Sequence, residues 1–122
     1  MKQPPESADM AGMNERRSEV RNMCADMVEV RWNDRTTGKT RHMTALLEDI
    51  SASGACLQLE TAVPVGAEMR WESPNHQFVG HVRYCTYREI GYFAGVEFEA
   101  GAKWSKQDYK PRHLLDLKRL LC

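Results

Sequence analysis

Apolar and polar residues trade places along most of the chain with a period close to two. Residues 24–32 read Cys-Ala-Asp-Met-Val-Glu-Val-Arg-Trp. Asp26 and Arg31 interleave there with Met27, Val28, Val30 and Trp32, the texture of a strand with one wet face. Residues 33–39 cluster turn formers around Gly38, which predicts a reversal. A second strand is expected over 42–50, broken by Ser-Ala-Ser-Gly at 51–54. Ala55, Leu57 and Leu59 then alternate with Cys56, Gln58 and Glu60 as a third strand. Pro64-Val65-Gly66 turns the chain, 68–72 gives a short fourth strand, and Ser73-Pro74-Asn75 turns it again. Residues 77–88, marked by Phe78, Val82 and Tyr84, predict a long fifth strand. Gly91 marks the next reversal, and 92–98 the sixth strand. Strands at hairpin spacing predict an all-β fold, a six-stranded antiparallel β-barrel or closed sandwich. Closure removes the edges that a small open sheet would expose.

After Ala100 the period changes. Pro111 suits the first turn of a helix, and Leu114, Leu117 and Leu121 recur at spacings of three and four. The pattern predicts a C-terminal α-helix over about 108–121. So short a helix is marginal alone in water, so it is expected to dock on the barrel end as a lid, or to meet a partner. Residues 1–14 carry two prolines and no periodic hydrophobicity, and read as a flexible tail. The remaining 15–122 make one domain, which suits a chain of 122 residues.

Charge and composition narrow the function. Lys+Arg and Asp+Glu both number 17, which argues against coating nucleic acid through bulk positive potential. It leaves room for a small anion held by a few arginines. No apolar run is long enough for a membrane helix, and the first residues lack the apolar stretch of a secretory signal. The cysteines, Cys24, Cys56, Cys85 and Cys122, form no Cys-x-x-Cys pair and read as thiols of a reducing cytoplasm. His42, His76, His81 and His113 show no metal-ligand spacing, so no metal or other cofactor is expected. With no nucleophile elbow, P-loop or His-Glu-x-x-His present, an enzyme is not expected either.

Two stretches carry candidate chemistry. Arg16 and Arg17 open Arg-Arg-Ser-Glu-Val-Arg, which ends at Arg21. Arg17 and Arg21 lie on one side of the chain whether it is helical or extended. Guanidinium groups at that spacing can grip two parts of one flat anion, through bidentate bonds to phosphate or to a guanine edge. The bland reading is a solvated basic patch. The second stretch is Asp49-Ile50-Ser51-Ala52-Ser53-Gly54. At a strand end, Asp49 and Ser51 share a face while Ile50 turns inward. Asp49 can accept from the N–H donors of guanine, the Ser51 hydroxyl can serve phosphate or base, and Gly54 allows a sharp bend beside a flat ligand. The bland reading there is a turn closed by its own Asp and Ser side chains.

In order and spacing, Arg17-Ser18-Glu19-Val20-Arg21 and Asp49-Ile50-Ser51-Ala52-Ser53-Gly54 resemble the Arg-x-x-x-Arg and [Asp/Asn]-x-Ser-x-x-Gly motifs of the PilZ domain family. Gly95-Val96-Glu97-Phe98 is similar to the Gly-Val-x-Phe that closes that family's last long strand. The resemblance implies a PilZ-like split barrel that binds the bacterial second messenger cyclic di-GMP. Arg17 and Arg21 would take phosphates and guanine edges, Asp49 and Ser51 would read a guanine, and Gly54 would let the ring approach. Arg16, just before the motif, is the position that favours an intercalated pair of ligands. Glu19 departs from a purely basic motif by adding a carboxylate within it. The resemblance further implies an adaptor acting on an effector protein. A monomer or weak homodimer is expected, without nucleic acid or membrane, and residues 1–20 are expected to order over the ligand. The competing expectation is a degenerate barrel serving only as a protein–protein interaction module. An oligonucleotide-binding barrel would draw on Arg83, Tyr84 and Tyr87.

Overall fold

The computed structural model describes residues 20–100, 104–105 and 107–114. Six strands follow one another: β1 (Asn22–Asn33), β2 (Thr40–Ile50), β3 (Gly54–Leu59), β4 (Glu68–Ser73), β5 (His76–Arg88) and β6 (Gly91–Phe98). All six predicted strands are present, with ends within a few residues of the expected ones. They close into an antiparallel barrel in the order β1-β2-β3-β6-β5-β4. Hairpins join β1 to β2, β2 to β3, β4 to β5 and β5 to β6. The link from β3 to β4 leaves β6 between β3 and β5. The seam is short, for β1 meets β4 only at Arg31↔Arg70 and Trp32↔Met69.

Alternation sorts the side chains. Val28, Val30 and Trp32 of β1 face inward, as do Leu57 and Leu59 of β3, Met69 and Trp71 of β4, and Val82 of β5. A small barrel is filled by such residues rather than hollow. One end holds an aromatic cluster: Trp71 stacks on Phe78 at 5.1 Å between ring centroids, and Phe98 packs on Phe78 at 5.3 Å. Trp32, Trp71 and Trp104 are all buried.

The C-terminal helix is not found among the described residues. Over 107–114 the chain is turn and irregular coil, and His113 adopts a left-handed φ of 58°, which no right-handed helix accommodates. The rest of that expected helix lies outside the described residues, as does the predicted tail at 1–14. A cap still covers the aromatic end of the barrel, built from irregular chain. Trp104 is buried there, its indole N–H donating to the Tyr109 carbonyl at 2.7 Å. Tyr109 meets Phe78 edge-on at 5.6 Å and donates its hydroxyl to Asp26. Backbone bonds tie this segment down, from Trp104 N–H to the Ala52 carbonyl (3.1 Å) and from Ala25 N–H to the Arg112 carbonyl (2.9 Å). Trp104 and Tyr109 need a partner for their polar tips when buried, and irregular chain supplies one.

Candidate functional site

The Asp49–Gly54 stretch spans the end of β2, a tight turn and the first residue of β3. Ser51 N–H donates to the Gly54 carbonyl at 2.8 Å, and the Ser51 hydroxyl reaches the same carbonyl at 3.4 Å. Ser51 is only 7% exposed, so its donor serves the turn, the bland reading weighed from sequence. Gly54 also has a packing role. A Cβ there would lie 2.5 Å from the Val96 carbonyl oxygen, because Gly54 pairs with Glu97 across β3 and β6. Close backbone approach therefore demands glycine at this position, whatever else the turn does.

Asp49 faces outward because the sheet is bulged. Leu47 pairs with Leu57 and Asp49 with Cys56, leaving Glu48 as an extra residue on β2. Strict alternation from the buried Leu47 would turn Asp49 inward and Ile50 outward. The bulge re-phases the strand, so Ile50 is fully buried and Asp49 sits half-buried on the outer face. Opposite Glu48, β1 carries its own bulge between Met23 and Asp26. A third lies between Val82 and Tyr84 of β5. Together they align an outward row across the barrel: Met23, Asp49, Cys56, Gly95 and Tyr84, each directly opposite the next.

Gly95 opens this row. A Cβ there would fall 2.0 Å from the Tyr84 ring, so the ring lies flat over the glycine. Its hydroxyl points to the Cys56 sulfur at 4.0 Å. The ring is 43% exposed, and Met23 at the other end of the row is 47% exposed.

Arg21 directly precedes Asn22, which pairs with Ile50 at the end of β2. Its charge reaches Asp49, Cys56 and Tyr84. Burial raises the Asp49 pKa above the usual carboxylate value, and the Arg21 charge offsets only part of that rise. Burial likewise raises the Cys56 thiol and the Tyr84 hydroxyl, and the Asp49 charge adds to both. The site therefore presents an under-compensated carboxylate, a cation and an aromatic face on one side of the barrel. That surface suits a flat ligand bearing N–H donors and negative charge.

Arg21, Asp49, Ser51 and Gly54 are thus brought to one barrel edge, while Arg16 and Arg17 lie outside the described residues. Arginines elsewhere on the barrel have other engagements. Arg41 pairs with Asp34 and lies over Trp32, Arg83 pairs with Glu97, Arg70 is 3.9 Å from Glu68, and Arg88 covers Phe93. Sequence reasoning missed Cys56, Gly95 and the place of Tyr84 within the row. No local pattern announces them, because three bulges and four ladders set that row. Only the Gly95 that opens the Gly-Val-x-Phe stretch hinted at a position short of side chain.

No curated protein shows significant similarity to the chain. Residues 15–108 match the family model of the PilZ domain. That span takes in both motif stretches, all six strands and the start of the cap. A match so long, laid over a closed barrel with Arg21 and Asp49 at one edge, means that this chain belongs to the PilZ domain family.

Proposed function

We propose that the protein is a receptor for cyclic di-GMP and has no catalytic role of its own. The reading rests on family membership, since PilZ domains generally bind this ligand, and on one feature of the barrel edge. The Glu48 bulge turns Asp49 outward beside Arg21. The half-buried Asp49 carboxylate, its pKa raised by burial, accepts no side-chain hydrogen bond from the described residues, and the N1–H and N2–H₂ groups of guanine would supply donors. Arg17 and Arg21 would take phosphate oxygens and a guanine edge. Arg16 would favour a second, intercalated ligand molecule. The exposed face of Tyr84, level with Asp49 along the row, would serve as a floor for a base. Binding would be read out by an effector protein, with residues 1–20 ordering over the ligand as the switch.

Calorimetry of the full chain with cyclic di-GMP, set against GTP and cyclic GMP, tests this directly. The receptor reading expects saturable heat with cyclic di-GMP alone, and a stoichiometry near two if Arg16 acts as described. Arg21→Ala removes a charged hydrogen-bonding partner worth roughly 1.5–3 kcal/mol, or about a 10- to 150-fold loss of affinity. Arg17→Ala is expected to do the same. No heat from cyclic di-GMP, or equal affinity in both variants and wild type, would leave only a protein-interaction barrel.

A further inference from the structure

We infer a second site, for a divalent transition metal such as Zn²⁺, on the outer face of β4, β5 and the chain just past β6. Glu68, His81 and Glu99 each offer one ligand atom there, and these atoms all lie within 4.8 Å of one another. The barrel's ladders bring them together. Glu68 is directly opposite His81 across β4 and β5. Glu99 follows Phe98, and its N–H donates to the Val79 carbonyl at 2.9 Å, which sets it diagonally beside His81. Three chain segments, each held by backbone hydrogen bonds, thus converge on one half-buried imidazole.

The chemistry of the set points to a metal. Imidazole nitrogen and carboxylate oxygen are both zinc donors, and three protein ligands leave a fourth, tetrahedral position open for water. Ligand atoms in a tetrahedral zinc site are about 3.4 Å apart, so the two exposed glutamates need close by little more than an ångström through side-chain rotation. The neighbours leave the triad available. Glu97, directly opposite His81, is held by Arg83, and the His81 side chain makes no hydrogen bond or ion pair with any described residue. Arg70 forms a long ion pair with Glu68 at 3.9 Å, beyond hydrogen-bond range, which a metal would have to displace. Two carboxylates gathered at one imidazole repel each other, and a divalent cation removes that repulsion. The triad shares no residue with the Asp49 edge and does not depend on the ligand proposed there.

The test uses the full chain, stripped of metal and titrated with Zn²⁺ by calorimetry and thermal melting. We expect saturable binding of one Zn²⁺ at micromolar concentration and a rise in Tm. His81→Ala and Glu99→Gln should each weaken binding by at least about 10-fold, the lower bound for loss of even an outer-shell partner, while leaving the metal-free Tm close to wild type. Co²⁺ should give visible d–d bands without the near-ultraviolet charge-transfer band of a thiolate ligand. The assignment is overturned if no Zn²⁺ binds in that range, or if binding survives the His81→Ala, Glu99→Gln double variant. It is equally overturned if Co²⁺ reports thiolate ligation, which would move the metal to the cysteines.

Discussion

At the scale of single residues, Asp49 is held at a cost to the fold. Its pKa is raised in the folded state, mainly by burial, so the native protein binds that proton more tightly than the unfolded chain does. Below the unfolded carboxylate pKa both states are protonated, and nothing is lost. As pH rises through the folded pKa, the native state must bury a charge and stability falls. Asp49→Asn carries no such charge. Its Tm should equal or exceed that of wild type at neutral pH, and the difference should vanish in acid, which melts at two pH values will show. The same substitution should abolish cyclic di-GMP binding, and wild-type affinity should weaken as pH falls through the Asp49 pKa. A residue that weakens the fold while equipping a surface is expected of a binding group. Tyr84 tests the other end of the row. Loss of a stacking platform is worth about 1–3 kcal/mol per base. Tyr84→Ala should therefore weaken cyclic di-GMP binding measurably in calorimetry, with the melting curve little changed because the ring is partly exposed.

Among the elements, the bulges do the positioning. Regular strands would present a simple alternation of inside and outside, which would place Asp49 in the core with Leu47. Extra residues on β1, β2 and β5 shift that phase at one level of the barrel, and the outward row follows. The β2–β3 turn is fixed by contact with β6. Phe98 N–H donates to the Ser53 carbonyl at 2.7 Å, and the Gly54 backbone lies against Val96. Gly54→Ala drives a methyl into a carbonyl oxygen that belongs to a central ladder and cannot swing aside. Strain of this kind costs about 1–3 kcal/mol, to be read as a lower urea midpoint with an unchanged m-value. Any loss of ligand affinity in that variant would report displacement of the Asp49 turn rather than a lost contact. The described part of the expected helix, up to residue 114, is irregular chain. Leucines at helical spacing predicted it, yet over 107–114 the buried tips of Trp104 and Tyr109 and the backbone bond from Ala25 dictate irregular chain.

Considered as a whole, the barrel is finished by its cap. Trp104 and Tyr109 seal the aromatic end, and backbone bonds from Ala25 and to Ala52 join the cap to the β1 bulge and the Ser51–Gly54 turn. Removing a buried tryptophan costs about 3–5 kcal/mol, a large share of the roughly 5–15 kcal/mol that holds a domain folded. Trp104→Ala should lower the urea midpoint more than any substitution on the outer row, and a midpoint close to wild type would show that the cap is dispensable. No helix among the described residues is long and apolar enough to cross a membrane.

The order of hydrophobic and polar residues by itself determined the six strands, their turns and the all-β class, because a half-buried strand writes its two faces into local alternation. It also carried the two short motifs, whose spacing along the chain is a property of sequence alone. Tertiary structure decided what alternation cannot encode. A bulge is an absence of local regularity, visible only against the partner strand, so the outward turn of Asp49 and the row from Met23 to Tyr84 depend on pairing. Gly54 owes its identity to β6, and Glu68, His81 and Glu99 meet only because ladder register brings three distant segments to one patch. Contacts between residues far apart in the chain leave no period behind, and much of this barrel's surface chemistry is made of them.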